Sequence, residues 1–276
     1  MKKIELNEQK KIMIELLEYF DRICRENNIK YSLIGGSLIG AIRHKGIIPW
    51  DDDIDVILSK SEYLKLIQIL ENMNDSRYKL LTINNCRGYN FPFPKLVDKR
   101  TFVVEPRLLN QIKEYGIFID IFSYSNTSNS EKIRIKDFKK IKLLNSMMSR
   151  TKLDFKTDGF KQNFLRLNKN ILSKIIGYRN IIKFLNNIYN KYNNVDTDYV
   201  VSNWPVYNIN KEVQKSKNII EYTDVEFENM KIMIFKNYDE ILRTTFGDYM
   251  QLPPENQRKA HGLIAYWRDN DENAKL

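Results

Sequence analysis

The sequence predicts an α+β chain, a sheet core flanked by helices and carrying a largely helical, basic insertion. Three observations predict it. β-branched runs and capped helical stretches alternate through the first 130 residues. Two long helical stretches then follow each other with no strand between them. A strand pair and one more helix close the chain.

Each element has its own signal. Over residues 7–27, Ile12, Leu16, Leu17, Phe20, Ile23 and Cys24 recur at helical spacing among charged residues, and Asn27-Asn28 end the run. "YSLI" (31–34) is a short strand stopped by Gly35-Gly36. Ser37 is placed to cap a short helix through about Arg43. Pro49 forbids its continuation. "DIDVIL" (53–58) is a buried strand, and Ser59 with Glu62 forms a capping box for a helix to about Glu71. Further strands are expected at 78–83, 91–97, 101–104 and 116–124. "SNTSNS" (125–130) reads as a polar boundary loop. Helices are expected over 131–152 and 160–192, a hairpin over 219–235 and a helix near 238–245. The C-terminus is expected to fray. This divides the chain into an N-terminal helix plus core (1–130), a basic helical segment (131–195) and a C-terminal α/β segment that packs back on the core (196–276).

The chain has 276 residues, 42% of them hydrophobic, which is enough for a sizeable core. Mean hydropathy is -0.50, and no apolar run approaches the ~20 residues that span a bilayer. The first twenty residues read as a helix, not a signal peptide. Cys24 and Cys86 lack CxxC spacing, and with only His44 and His261 besides they argue against a zinc site. A reducing cytoplasm fits. The net charge of +10 is uneven. Residues 1–130 carry 19 Lys/Arg against 17 Asp/Glu, residues 131–191 carry 16 against 4, and residues 192–276 carry 10 against 14. A middle segment this basic favours an anionic partner: a phospholipid surface, nucleic acid or a phosphorylated substrate.

The chemistry is concentrated in carboxylates. Asp53 and Asp55, at i and i+2 of a strand, project from one face. Asp120 sits in an otherwise apolar strand, where a lone carboxylate is costly unless paired or bound to a cation. If the two strands are neighbours, three carboxylates converge. Two of them ~4 Å apart repel by roughly 4 kcal/mol at an effective dielectric of ~20. A hard divalent cation relieves this, and Mg2+ in particular adds substrate phosphates to its shell. The cluster therefore points to metal-assisted phosphoryl transfer. The plainer reading is a solvated acidic turn and a structural ion pair. Gly35, Gly36 and Ser37, at a strand–helix junction, suit a phosphate held against the backbone, although a tight turn also needs glycine. Neither a Walker A loop nor a GxGxxG fingerprint occurs.

The run "LIGGSLIGAIRHKGIIPWDDDIDVIL" (33–58) resembles the signature of the LicD family of phosphotransferases. "PFPKLVDKRTF" (92–102), "YGIFIDIFSY" (115–124) and "YDEILRTTFGDYMQLPPENQR" (238–258) with His261 continue the resemblance in the family's order. Residues 131–215 match less distinctly, and "FSYS" departs from the "FPLD"-like continuation usual after Asp120. The resemblance implies a nucleotidyltransferase-like mixed β-sheet core. It implies that Asp53, Asp55 and Asp120 bind Mg2+, with Mn2+ as the alternative, and that Asp120 acts as third ligand or as general base. Gly36 and Ser37 would hold donor phosphates. The reaction implied is phosphocholine transfer from CDP-choline to a sugar hydroxyl of a cell-surface glycan or teichoic acid precursor, with CMP leaving. Phosphoglycerol or another CDP-alcohol as donor, and nucleotidyl transfer, remain alternatives.

The other candidates each carry two readings. Arg43, His44 and Lys45 face a donor pyrophosphate or form a basic helix end. Lys95 neutralises leaving-group charge or pairs with a carboxylate. Trp50 stacks on a base or packs, and Asp51 and Asp52 fix the loop. His261 touches substrate or is an ordinary surface or core histidine. Tyr89, Phe91 and Phe93, around Lys95, are candidate aromatic faces for a quaternary ammonium. Residues 171–192 either lie on an anionic membrane, at the inner face of the cell membrane beside a lipid-linked acceptor, or pack on the core with a wet basic face. A nucleic-acid partner is not expected, because the excess charge is not set in any recognised binding motif.

Overall fold

The apolar spacing near the N-terminus becomes a helix in the computed structural model, which describes residues 1–106, 108, 110–148, 153 and 159–269. In chain order the elements are β1 (Lys3–Ile4), α1 (Leu6–Glu26), β2 (Ser32–Leu33), α2 (Gly35–Ile39), β3 (Asp55–Ser59) and α3 (Lys60–Asn72). Then come β4 (Tyr78–Leu81), β5 (Lys95–Asp98), β6 (Thr101–Val104), β7 (Phe118–Thr127), α4 (Glu131–Met148), α5 (Gly159–Ile176) and α6 (Tyr178–Tyr189). The chain closes with β8 (Tyr199–Ser202), α7 (Ile209–Glu212), β9 (Val213–Lys215), β10 (Tyr222–Phe227), β11 (Met230–Phe235), α8 (Tyr238–Phe246) and β12 (Ile264–Trp267). The architecture is α+β with a mixed sheet.

That sheet positions the site. Its strands run in the order β2-β3-β7-β5-β4, and β8 pairs with β7 and β9 beyond that path. The β3–β7 pair is parallel, and the other pairs are antiparallel. Alternation splits β3 and β7 between two faces. Val56, Leu58, Ile119 and Ile121 join α1 residues Met13, Leu16, Leu17 and Phe20 in the main core. Ile57, Phe122 and Tyr124 enter a second cluster with Val200, Phe235 and Ile241. Each large apolar side chain so buried contributes roughly 1.5–3 kcal/mol. The face opposite α1 is therefore the one that presents Asp55 and Asp120.

Several boundaries differ from the sequence reading, for local reasons. Helix α2 starts at Gly35, so Ser37 lies inside it and does not cap it. Strand β7 runs through Thr127 into the polar stretch expected to be a loop, because β8 pairs with it from Tyr124↔Ser202 to Thr127↔Tyr199. The expected 160–192 helix breaks at Gly177, whose φ is +79°. Residues 149–152 of the expected 131–152 helix, and the C-terminus from 270, lie outside the described residues. Within 171–192, α6 buries Ile181, Leu185 and Tyr189 against α4 and β8. The exposed apolar surface lies instead on α5, where Phe160, Phe164, Leu167, Ile171 and Ile175 form one exposed stripe. No helix among the described residues is long and apolar enough to cross a membrane.

Candidate active site

Three charged side chains share one row of the sheet. Asp55 of β3 pairs in register with Asp120 of β7, and Asp120 pairs with Lys95 of β5. The strand neighbourhood on which carboxylate convergence depends is thus present. The Lys95 ammonium donates to Asp120 Oδ1 in an ion pair closed off from water, Lys95 being 2% exposed. It also lies over the rings of Phe118 at 3.7 Å and Phe91 at 4.6 Å. Phe91 and Phe93 therefore already face a cation, the protein's own lysine. The hydroxyl of buried Tyr89 donates to Phe93 O at 2.7 Å. These three rings do not line the cavity that contains the carboxylates.

Gly35 and Gly36 make room for the acids. Gly35 has φ +61°, a region costly for other residues, and a Cβ there would sit 3.6 Å from Asp55 Oδ2. A Cβ on Gly36 would lie 2.7 Å from Asp51 Oδ2, so the Asp51 carboxylate would have to move. The Ser37 hydroxyl accepts the Asp55 backbone N–H at 2.9 Å and so fastens α2 to the start of β3.

The preceding aspartates separate by partner. Asp52 is 3% exposed and accepts the backbone N–H groups of His261, Gly262 and Leu263 at 3.0–3.1 Å, with His261 Nδ1 at 3.1 Å. Burial pushes its carboxyl up, but these hydrogen bonds outweigh that and hold it below the usual range. Asp52 is thereby the anchor of the C-terminal segment. Asp51 and Asp53, unlike Asp52, line the cavity, and both also approach His261 Nδ1, at 3.9 and 3.3 Å. Ligand atoms of Asp51, Asp52, Asp53 and His261 lie within 4.8 Å of one another.

Burial, with charge crowding added, raises the carboxyls of Asp51, Asp53, Asp55 and Asp120. Burial and then the charge of Asp51 push Asp53 up to about 8. Burial, then Asp53 and Asp120, push Asp55 well up. Burial raises Asp120 against the opposing pull of Lys95. His261 is pushed up to about 9, chiefly by its hydrogen bond to Asp52 and then, against desolvation, by Asp53. Asp51, Asp53, Asp55 and Asp120 thus meet with Lys95 and His261 as their close cations. A donor set dominated by carboxylate oxygens fits a hard divalent cation.

The carboxylates open onto a cavity of about 880 Å³. Gly35 and Gly36 line it; Ser37 and Lys95 do not. Of the basic residues after α2, Arg43 lines it and donates to Tyr249 O at 2.6 Å and Gln251 O at 3.1 Å. Lys45 turns away to Glu226. His44 meets Trp50 edge-on, and the Arg258 guanidinium lies 5.4 Å from the Trp50 ring. Trp50, which lines the cavity, is thus held between the Arg258 cation and His44, whose imidazole burial and then the Arg43 charge push below its usual range.

Comparison with known proteins matches residues 28–153 to the LicD/FKTN/FKRP nucleotidyltransferase domain. The chain is also 33% identical over 271 residues to the lipopolysaccharide cholinephosphotransferase LicD of Haemophilus influenzae, covering 95% of this chain and 98% of that protein. The chain belongs to the LicD family. Uncharacterized proteins of Rickettsia prowazekii and Rickettsia typhi share 35% and 33% identity over 91 and 81 residues. Those matches cover 33% and 29% of this chain, and 33% and 26% of the two proteins.

The cavity also recruits residues that sequence reasoning passed over. Trp204, Tyr207 and Glu212 come from the stretch that matches the family least distinctly, and Phe246, at the end of α8, lies within the resembling run 238–258. No spacing rule links the first three to Asp120, because the β7–β8 ladder brings their segment there. His261 reaches the aspartates through three backbone N–H bonds to Asp52, a contact without a sequence signal.

Proposed function

We propose that this LicD-family transferase moves phosphocholine from CDP-choline to a sugar hydroxyl of a cell-surface glycan precursor. One observation carries the reading: Asp55 and Asp120 stand in register beside Asp53, at the edge of a cavity large enough for a nucleotide-linked donor and an acceptor. The relative that aligns over nearly the whole chain is a cholinephosphotransferase, which supports the choice of head group.

Asp53 and Asp55 are the residues to hold Mg2+, with Asp51 or Asp120 completing the set and Mn2+ as the alternative ion. When bound, the ion neutralises phosphate oxygens and makes the phosphorus easier to attack. Asp120, with a carboxyl raised by burial and steadied by Lys95, is suited to accept the proton of the acceptor hydroxyl. That oxygen bonds to the phosphorus bearing choline, the bond to the CMP oxygen breaks, and CMP leaves. Gly35 and Gly36 allow donor phosphates to approach the backbone, and Arg43 supplies positive charge at the cavity wall. Ser37 and Lys95 act through Asp55 and Asp120 in this reading, instead of gripping phosphate directly.

A thermal-shift screen of CDP-choline, CDP-glycerol, CDP-ribitol and CTP with Mg2+ tests the donor. CDP-choline is expected to raise the melting temperature most, by mass action. A larger shift with CDP-glycerol or CTP would replace the head group or the reaction class.

Peripheral contact with the inner face of the cell membrane is part of the same proposal. The α5 stripe, with Phe160 77% and Ile175 75% exposed, is interleaved with Lys161, Lys169 and Lys174. Such a face suits an anionic lipid surface, where a lipid-linked glycan acceptor would be held.

A further inference from the structure

We infer that Phe122, Tyr124, Trp204, Tyr207 and Phe246, together with Glu212, form the subsite for the quaternary ammonium of the transferred head group. This deepens the donor reading above and rests on it. All six line the cavity that holds Asp55 and Asp120. Asp120, Phe122 and Tyr124 occupy alternate positions of β7, so their side chains share one face at steps of about 7 Å. The four bonds from phosphorus to nitrogen in phosphocholine cover most of one such step. A phosphate at the carboxylates therefore places its ammonium against the aromatic wall.

That wall has the two properties such a group needs. It offers ring faces: Tyr207 and Phe246 meet edge-to-face at 5.6 Å and form a corner. The Lys211 ammonium, which also lines the cavity, lies 5.6 Å from the Tyr207 ring centre and takes one face of that ring, while no cation among the described residues lies over Phe122, Tyr124, Trp204 or Phe246. It also offers one anionic group. Glu212 Oε1 accepts the backbone N–H groups of Val206, at 2.5 Å, and Tyr207. Glu212 Oε2 has no hydrogen-bond partner among the described residues. Burial raises the Glu212 carboxyl, with the N–H bonds and the Lys142 charge pulling it back. The Lys142 ammonium itself is directed to the carbonyls of Pro205 and Val206, at 3.3 and 2.7 Å. A quaternary ammonium has no N–H to donate. It gains from a nearby carboxylate and from ring faces without needing a hydrogen bond. The competing occupant is the cytosine ring, whose amine would donate to Glu212.

Calorimetric titration of the full chain with CDP-choline, CDP-glycerol and CMP, at saturating Mg2+, separates these. Glu212→Gln keeps an oxygen to accept from Val206 and Tyr207, so the loop is retained; an unchanged melting temperature checks this. The expected result is roughly ten-fold weaker CDP-choline binding in Glu212→Gln, with CDP-glycerol and CMP within about two-fold of wild type. Phe246→Leu is expected to act in the same direction. Parallel loss of all three ligands would assign the pocket to the base and overturn the subsite. So would an undiminished preference for CDP-choline in both variants. Wild-type protein that binds CDP-choline no better than CDP-glycerol would overturn the donor assignment itself.

Discussion

A lysine 2% exposed inside a sheet is costly unless its charge is met, and Asp120 meets it. Each group is the other's compensation, so removing one leaves a buried charge behind. Lys95→Ala is expected to lower unfolding free energy at pH 8 by about 3 kcal/mol, measured by denaturant titration. At pH 5 the loss should shrink, because the unpaired Asp120 then takes up a proton. An equal loss at both pH values, or none, would contradict the pairing. At this scale the sequence was largely legible. A lysine and an aspartate in two apolar strands each demand a partner, and the carboxylate-partner reading of Lys95 followed from that demand. That the partner was Asp120 depended on register, which no local pattern specifies.

Elements were legible where periodicity ran long and illegible where it was short. Helices α1, α3 and α8 and the β10–β11 hairpin lie close to their expected spans. Strands β1, β8, β9 and β12 have two to four residues and exist because a neighbouring strand supplies hydrogen bonds, so composition did not mark them. Helix α5 shows what periodicity alone leaves open. Its apolar stripe has helical spacing, yet only the fold shows that stripe turned outward while α6 turns its own inward. Flotation with phosphatidylglycerol vesicles tests the stripe. Wild type is expected to float, and a Phe164→Ser/Ile171→Ser variant to remain below, since each inserted Phe or Ile contributes roughly 1.5–3 kcal/mol. Equal recovery of the two proteins would count against membrane contact.

Across the whole molecule, the site concentrates charge that the fold tolerates only in part. Asp53 binds its proton more tightly folded than unfolded, with the folded value pushed up to about 8. Its contribution is complete below the ordinary carboxylate range and is lost as pH rises through about 8. His261, raised to about 9, contributes fully below its ordinary range and loses that contribution as pH rises through about 9. Metal-free protein should therefore melt at progressively lower temperature from pH 6 to pH 9. Mg2+ should restore more stability at pH 8 than at pH 6, because its ligands must be deprotonated. Asp53→Asn should flatten the metal-free slope; a slope unchanged by that substitution would show that the cluster is not its source.

The most direct test of the central claim is phosphocholine transfer from CDP-choline to a glycan acceptor by wild type and by Asp55→Asn, with Mg2+ supplied. Loss of transfer by ~10²-fold or more is predicted, with a metal-free melting temperature at least equal to wild type because one repelling charge is gone. Full transfer by Asp55→Asn would contradict the carboxylate row as the site of the chemistry.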